Sequence, residues 1–154
     1  SISSGIFMSY TELPATTHIV VGLEASSKKQ LVEKLSTYAE DLTGLARRGF
    51  FDAIMRRERL GSTAVGAGIA LPHVVRPALN ETITIFALLA TPVSFDAGDN
   101  KPVDIVCLIA GPEHTDCDHL KAISAMAKLL QDTEKCSRLR AARSIEDVTV
   151  ALRV

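Results

Sequence analysis

The chain has 154 residues and a mass of 16.5 kDa, which is the size of one ordinary domain. Hydrophobic residues make up 47% of it and charged residues 23%, so the chain can bury a core and is expected to be globular. A balance of 17 Lys and Arg against 18 Asp and Glu leaves a net charge of -1, and aromatic residues make up 5%, with no Trp. Without a basic surplus or stacking side chains, the chain is a poor candidate for binding nucleic acid or anionic lipid.

The cysteines and the first residues bear on the cellular compartment. Cys107, Cys117 and Cys136 are odd in number and widely spaced, with no C-x-x-C motif, which predicts reduced thiols in a cytoplasmic protein. The longest apolar runs fall short of the roughly 18–20 residues that span a bilayer. The start of the chain lacks the basic and apolar regions of a signal peptide. We predict one domain over residues 9–154, and a disordered or artificial extension at residues 1–8.

The first half of the domain reads as a strand followed by two helices. The β-branched run His18–Leu23 predicts a strand. Ser26 or Ser27 can cap a helix whose apolar positions recur at helical spacing until Gly44. A second helix is predicted over Ala46–Arg59, with its aromatic residues facing inward and most of its arginines facing outward.

The middle of the chain contains three further predicted strands. A loop of small residues leads into a short buried strand, Ile69–Leu71, which is expected to stop at Pro72. Thr82–Leu89 and Val103–Ile109 are continuous apolar runs, typical of strands covered on both faces. Asp96–Lys101 between them has the composition of a turn.

The last part of the chain predicts three helices. Asp116 can cap the first, the second covers about Glu134–Ala142, and Ser144 caps the third. Strands mixed with helices that can cover both faces of a sheet predict an α/β fold with three α/β/α layers. The sheet is expected to be mixed and to have about five strands.

The glycines between α-helical and strand segments can be compared with two known nucleotide-binding motifs. Gly61 and Gly66 have the spacing of a P-loop, but Ala67-Gly68 stands where the Lys-Ser/Thr pair is required. The segment also follows a helix, whereas both the P-loop and the dinucleotide-binding fingerprint follow a strand. The sequence therefore does not support either kind of nucleotide site. The small-residue loop either lets backbones pack closely or offers N–H groups to an anion.

The histidines are the strongest chemical candidates. His73 follows the rigid Pro72 at the end of a predicted strand, where a side chain emerges at the rim of the sheet. His119 lies near the start of a predicted helix, whose dipole favours a neutral imidazole that can donate to an anion. The segment Glu113–His119 could be read as a metal site, but His114 and His119 would lie on different helix faces. We predict no metal site and no cofactor.

Several of these motifs together resemble one known family. The order and spacing are similar to those of the IIA domains of the phosphotransferase system, of the mannitol, fructose and nitrogen-regulatory class. The closing Arg-Leu-Arg-Ala-Ala-x-Ser stretch looks most like the nitrogen-regulatory branch. The segments that carry the resemblance are Arg57-Glu58-x-x-Gly61-Ser62-Thr63, Gly66-x-Gly68-Ile69-Ala70-Leu71-Pro72-His73, Phe95-Asp96-Ala97, Pro102-Val103-Asp104, His119-Leu120 and Arg138–Ser144.

The resemblance implies a phosphocarrier with a phosphorylated histidine. It implies that His73 accepts a phosphoryl group from a histidine phosphocarrier protein (HPr, or NPr in the nitrogen branch), with no metal. It maps the assisting histidine to His119 and the assisting arginine to Arg57. The small loop adds Ser62 and Thr63 as candidate phosphoryl-binding residues, because their hydroxyl and N–H groups can face an anion.

Three functional hypotheses stay open from the sequence. The first is a regulatory IIA protein, whose phosphorylation state is read by target proteins. The second is a fructose or mannitol IIA component that passes the phosphoryl group to a IIB domain. The third is a binding module that is never phosphorylated, because Val74 and Val75 stand where the nitrogen branch usually has Gly-Lys and block the donor.

Overall fold

The computed structural model describes residues 17–112 and 118–153. In chain order the elements are β1 (Thr17–Leu23), α1 (Lys28–Thr43), α2 (Arg47–Arg59), β2 (Ala64–Gly66), β3 (Ile69–Ala70), β4 (His73–Val75), β5 (Ile83–Val93), β6 (Val103–Gly111), α3 (Asp118–Leu129), α4 (Thr133–Ala141) and α5 (Ile145–Arg153). No helix in these two ranges is long and apolar enough to cross a membrane.

Capping residues set the helix ends as the sequence predicts. The Ser27 hydroxyl accepts from the Gln30 N–H at 3.1 Å at the start of α1. That helix ends at Gly44, whose φ of 77° is the left-handed conformation that glycine adopts without strain. The Ser144 hydroxyl accepts from the Asp147 N–H at 3.1 Å at the start of α5. The predicted cap Asp116 lies outside the described residues.

The sheet is mixed, and β6 is its centre. Its strand order is β1-β5-β6-β3-β2, with β4 also paired to β6. β1 is parallel to β5, β5 is antiparallel to β6, and β6 is parallel to both β3 and β4. β2 folds back antiparallel on β3 as a short hairpin.

Helices cover both faces, which confirms the predicted three layers. Alternate residues of β6 point to opposite faces, since successive side chains in a strand alternate. Ile105, Cys107 and Ile109 pack with the apolar residues of α3, α4 and α5. Val106 and Leu108 pack with those of α1 and α2.

The segment between α2 and β5 differs from the prediction. The predicted strand Ile69–Leu71 is observed as Ile69–Ala70, and pairing with β6 resumes at His73 rather than stopping at Pro72. Pro72 lacks an N–H group, but its carbonyl still accepts from the Ile109 N–H at 2.9 Å, which keeps the chain beside β6. His73 therefore begins a strand, and the sheet formed by the described residues has six strands rather than about five.

Candidate functional site

His73 is held against the carboxyl end of β6. It pairs with Ile109, and because the next residue, Val74, packs on the α1–α2 face, His73 lies on the face covered by α3. Its Nδ1 atom is 2.8 Å from the Leu71 carbonyl oxygen. A carbonyl only accepts, so Nδ1 carries the proton and Nε2 of the neutral ring has a free lone pair.

His119 approaches the same end of β6 from the first turn of α3. The centroids of the His73 and His119 rings are 6.4 Å apart, and the ring planes meet at 61°. His119 Nε2 is 3.5 Å from the Ile109 carbonyl oxygen, which is a weak contact. Gly111 makes the approach possible, since a Cβ atom there would lie 3.1 Å from Cδ2 of His119. The structure thus brings together two histidines that the sequence separates widely.

The environment of His119 favours its neutral form. The side chain is buried, and this loss of solvation is the main cause that lowers the pKa of His119. Repulsion from His73 lowers this pKa further, whereas the Ile109 carbonyl works in the opposite direction. The predicted neutral imidazole is therefore supported, although burial is the main cause rather than the helix dipole.

Arg57 lies at the end of α2, on the layer opposite His119. Its Nη1 atom donates to the Gly61 carbonyl at 2.9 Å, and the side chain is half-buried. The neighbouring Arg56 and Arg59 are exposed, as the outward arginines were expected to be. The structure attaches Arg57 to the start of the small-residue loop.

The hydroxyls of Ser62 and Thr63 have partners within the protein. The Ser62 hydroxyl donates to the Phe95 carbonyl at 2.6 Å and accepts from the Ala64 N–H at 3.1 Å. The Thr63 hydroxyl and N–H both donate to the carboxylate of Glu58. Direct binding of a phosphoryl group by these hydroxyls would require exchanging such bonds, so this role stays a prediction.

Glu58, to which no role was assigned from the sequence, is one of the few buried charged residues among those described. Its side chain is 2% exposed and forms an ion pair with Lys28, whose Nζ is 2.9 Å from Oε1. A signal was present in the sequence: Phe50, Ile54 and Glu58 recur every four residues and so share the inward face of α2. A carboxylate on an apolar helix face requires a buried partner.

The site offers a candidate nucleophile and a second imidazole at one end of β6. Arg57 is bound to the loop Gly61–Thr63, whose Thr63 carbonyl accepts from the Leu71 N–H. Within residues 17–112 and 118–153, no three His, Cys, Asp or Glu side chains are grouped as a metal site. Glu113, His114 and Cys117 lie outside these ranges, so the predicted lack of a metal stays a prediction. Loose transition states such as that of phosphoryl transfer need little beyond positioning and charge stabilisation, which these groups can supply.

Comparison with known proteins places these features in a family. The family described as phosphoenolpyruvate-dependent sugar phosphotransferase system, EIIA 2, matches residues 13–153. A nitrogen regulatory protein of Bradyrhizobium diazoefficiens is 40% identical over 141 residues, covering 92% of each chain. A fructose-specific EIIA component of Haloferax volcanii is 30% identical over 145 residues, covering 92% of this chain and 94% of its own.

A solved structure agrees with the sequence comparisons. The nitrogen regulatory protein IIA-Ntr of Neisseria meningitidis superposes with a TM-score of 0.83, at 32% identity and with 99% of each chain covered. The match includes the strands and helices that carry His73, His119 and Arg57. The chain therefore belongs to the EIIA 2 family of the phosphoenolpyruvate-dependent phosphotransferase system.

Proposed function

We propose that this protein is a regulatory phosphocarrier that accepts a phosphoryl group on His73 from a histidine phosphocarrier protein. The observation that carries the proposal is the bond between His73 Nδ1 and the Leu71 carbonyl, 2.8 Å long. This bond leaves the Nε2 lone pair as the nucleophile. It also fixes the ring orientation before the donor arrives, which reduces the entropy lost on reaching the transition state.

In the proposed step, Nε2 of His73 attacks the phosphorus atom of the donor phosphohistidine. The new P–N bond forms as the donor P–N bond breaks, and the donor imidazole leaves with the bonding electron pair. His73 keeps its Nδ1 proton on the Leu71 carbonyl, so no base is needed. Negative charge spread over the three phosphoryl oxygens then requires stabilisation.

Arg57 and His119 are proposed to provide that stabilisation. The Arg57 guanidinium keeps further N–H groups beyond the one bound to Gly61, and its planar fork suits phosphate. The N–H of His119 is held only weakly by Ile109, so it can turn to a phosphoryl oxygen. Ser62 and Thr63 are proposed to support the loop, and to bind the phosphoryl group only where their present bonds are exchanged.

The residues after His73 bear on the hypothesis of a module that is never phosphorylated. Val74 is 6% exposed and packs in the core, so it cannot face a docking partner. Arg76 lies over the Phe50 ring, with its guanidinium carbon 4.9 Å from the centroid. Val75 is 46% exposed and is open to contact with a donor. These placements favour an accessible His73 over a blocked one.

The regulatory branch is preferred over the sugar-specific one because of the nitrogen regulatory relatives. The two lead to different fates for the phosphoryl group. A sugar-specific IIA component would pass it to a IIB domain, whereas a regulatory one would retain it until a target protein reads it. The cytoplasmic location predicted from the unpaired cysteines fits either fate; the described Cys107 and Cys136 are buried free thiols.

The test uses purified donor that has been phosphorylated beforehand and desalted, with intact mass as the readout. We expect the wild-type protein to gain the mass of one phosphoryl group and His73→Ala to gain none. The His73→Ala variant should keep its fold, because the side chain is only half-buried at the rim of the sheet. Phosphorylation of His73→Ala would overturn the assignment. Rapid loss of the group to a fructose-type or mannitol-type IIB domain would favour the sugar-specific alternative.

A further inference from the structure

A continuous chain of polar contacts connects the buried ion pair of α1 and α2 to His73. The Lys28 ammonium binds the Glu58 carboxylate, which also accepts the N–H and the hydroxyl of Thr63. The Thr63 carbonyl accepts from the Leu71 N–H at 3.0 Å. The Leu71 carbonyl in turn accepts from Nδ1 of His73 at 2.8 Å.

The same residue acts on the arginine side of the site through its backbone carbonyl. Glu58 follows Arg57 directly, and the Gly61 N–H donates to the Glu58 carbonyl at 3.1 Å. The Gly61 carbonyl is the group that the Arg57 guanidinium binds. One residue therefore holds both ends of the short loop Gly61–Thr63, to which the cation and the nucleophile are attached.

The surroundings of Glu58 make this arrangement rigid. Glu58 and Thr63 are 7% and 6% exposed, so solvent cannot replace the bonds between them. The Lys28 ammonium also lies over the Phe95 ring, 4.4 Å from its centroid. The Phe95 carbonyl holds the Ser62 hydroxyl at 2.6 Å, which adds a second attachment for the loop.

We infer that Glu58 is a positioning residue for phosphoryl transfer, acting through Thr63 and Leu71 to set the tautomer and ring orientation of His73. Glu58 touches neither the phosphoryl group nor the His73 ring. Its effect is that the Leu71 carbonyl stays in place to accept the Nδ1 proton. The expected slowing of phosphoryl transfer rests on the proposed function. The expected change in the His73 tautomer does not, because it requires no donor.

The experiment observes the His73 ring directly. Long-range proton–nitrogen NMR spectra of ¹⁵N-labelled protein at about pH 8, where an ordinary imidazole is neutral, distinguish the two tautomers. We expect the Nδ1–H tautomer in the wild type. Thr63→Val, which removes the hydroxyl and keeps the branched shape, and Glu58→Gln, which removes the charge, should both increase the Nε2–H tautomer.

Two control variants separate positioning from general loosening. Thr63→Ser retains the hydroxyl and should keep the wild-type ring signals. Ser36→Ala also removes a buried hydroxyl bond, the one to the Val32 carbonyl, but lies in α1 away from the loop. It should lower stability and leave the His73 signals unchanged.

The rate of phosphoryl acceptance measures how far a misplaced His73 ring impairs the proposed transfer. Single-turnover transfer to Glu58→Gln, which touches no part of the phosphoryl group, should be about tenfold slower than to Ser36→Ala, because small misplacements of reacting atoms are costly. Unchanged His73 ring signals in both Thr63→Val and Glu58→Gln overturn the inference, as does an equal change in Ser36→Ala or Thr63→Ser. A wild-type protein that is never phosphorylated would overturn the proposed function, while the ring signals would still decide this inference.

Discussion

At the scale of single residues, the arginines of α2 show how position rather than charge distinguishes one side chain from its neighbours. Arg56, Arg57 and Arg59 are nearly adjacent in sequence, yet Arg57 is half-buried and bound to Gly61, whereas the other two are exposed. Salt screens an exposed cation, which therefore affects the rate of encounter with a partner more than the rate of the chemical step. A held guanidinium can contribute to the transition state.

We predict that Arg57→Lys slows single-turnover acceptance from the phosphorylated donor by about tenfold or more, because an ammonium keeps the charge but loses the bidentate fork. Arg56→Lys and Arg59→Lys are the matched controls. Their rates should stay within about twofold of the wild-type rate, since exposed charges contribute little. Equal rates for all three variants would mean that Arg57 is only another surface charge.

Some of the site could be predicted from residues alone, and some could not. His73 stood out because Pro72 and a loop of small residues precede it, and the family resemblance selected Arg57 and His119. The ring-to-ring distance of 6.4 Å depends on the pairing of β4 with β6 and on Gly111, which sequence spacing does not encode. Glu58 was visible as a charge on the inward face of α2, but its partner Lys28 belongs to another helix.

At the scale of elements, the long strands, the capped helices and the short strand β3 were predictable, whereas the short strands β2 and β4 were not. β5 and β6 are continuous apolar runs, and α1 has both a serine cap and a glycine stop. The hairpin of β2 and β3 has strands of three and two residues, too short for any periodicity to be read. Its existence depends on contacts with distant residues.

Those distant contacts hold a turn of unusual backbone conformation. Gly66, Ala67 and Gly68 have φ values of 92°, 56° and 80°, all left-handed. The Ala67 N–H donates to Asp99 at 3.0 Å, and its carbonyl accepts from Arg140 at 2.6 Å. The Arg140 Nε atom also donates to both carboxylate oxygens of Asp104, at 3.0 and 2.8 Å. The turn is therefore fixed from β6 and α4 together.

We predict that Gly68→Ala lowers the free energy of unfolding by about 2 kcal/mol, from a left-handed alanine and from a displaced, partly exposed ion pair. A Cβ atom at position 68 would lie 2.8 Å from Arg140 Nη2 and 3.0 Å from Asp104 Oδ1. Gly44→Ala is the matched control: its φ is also left-handed, at 77°, but a Cβ there meets nothing within 4 Å.

Gly44→Ala should therefore cost only the backbone strain, about 1 kcal/mol. Urea denaturation of both variants measures the difference. If the two substitutions cost the same, the guanidinium of Arg140 moves freely, and the turn is not held by it.

At the scale of the whole molecule, the candidate site draws on both faces of the sheet, with His73 and His119 at the carboxyl end of the central strand β6. His73 and His119 belong to the face covered by α3, whereas Arg57, Glu58 and Lys28 belong to the face covered by α1 and α2. The segment from Gly61 to Val75 connects the two faces. The candidate site therefore depends on the packing of both apolar cores.

This architecture makes the stability of the protein depend on pH through His119. Burial, and secondly repulsion from His73, lowers the pKa of His119 in the folded state. Between that lowered pKa and the ordinary value of about 6.5, the unfolded chain binds more protons at this residue than the folded one. The free energy of unfolding therefore falls as the pH is lowered through this interval, and the contribution of His119 is fully present above it.

We predict that the wild-type protein loses more stability than His119→Asn when the pH is lowered from about 7.5 to 5.5, an interval that includes the ordinary imidazole pKa. Urea denaturation at several pH values measures both slopes. His73→Ala should show an intermediate slope, because it removes the repulsion from His73 while the contacts of His119 with Gly111 and Ile109 remain. Parallel stability curves for the wild type and His119→Asn would show that the buried imidazole is protonated as easily in the folded state as in the unfolded chain. In that case the neutral donor proposed beside the phosphoryl group would have to be replaced by a charged one.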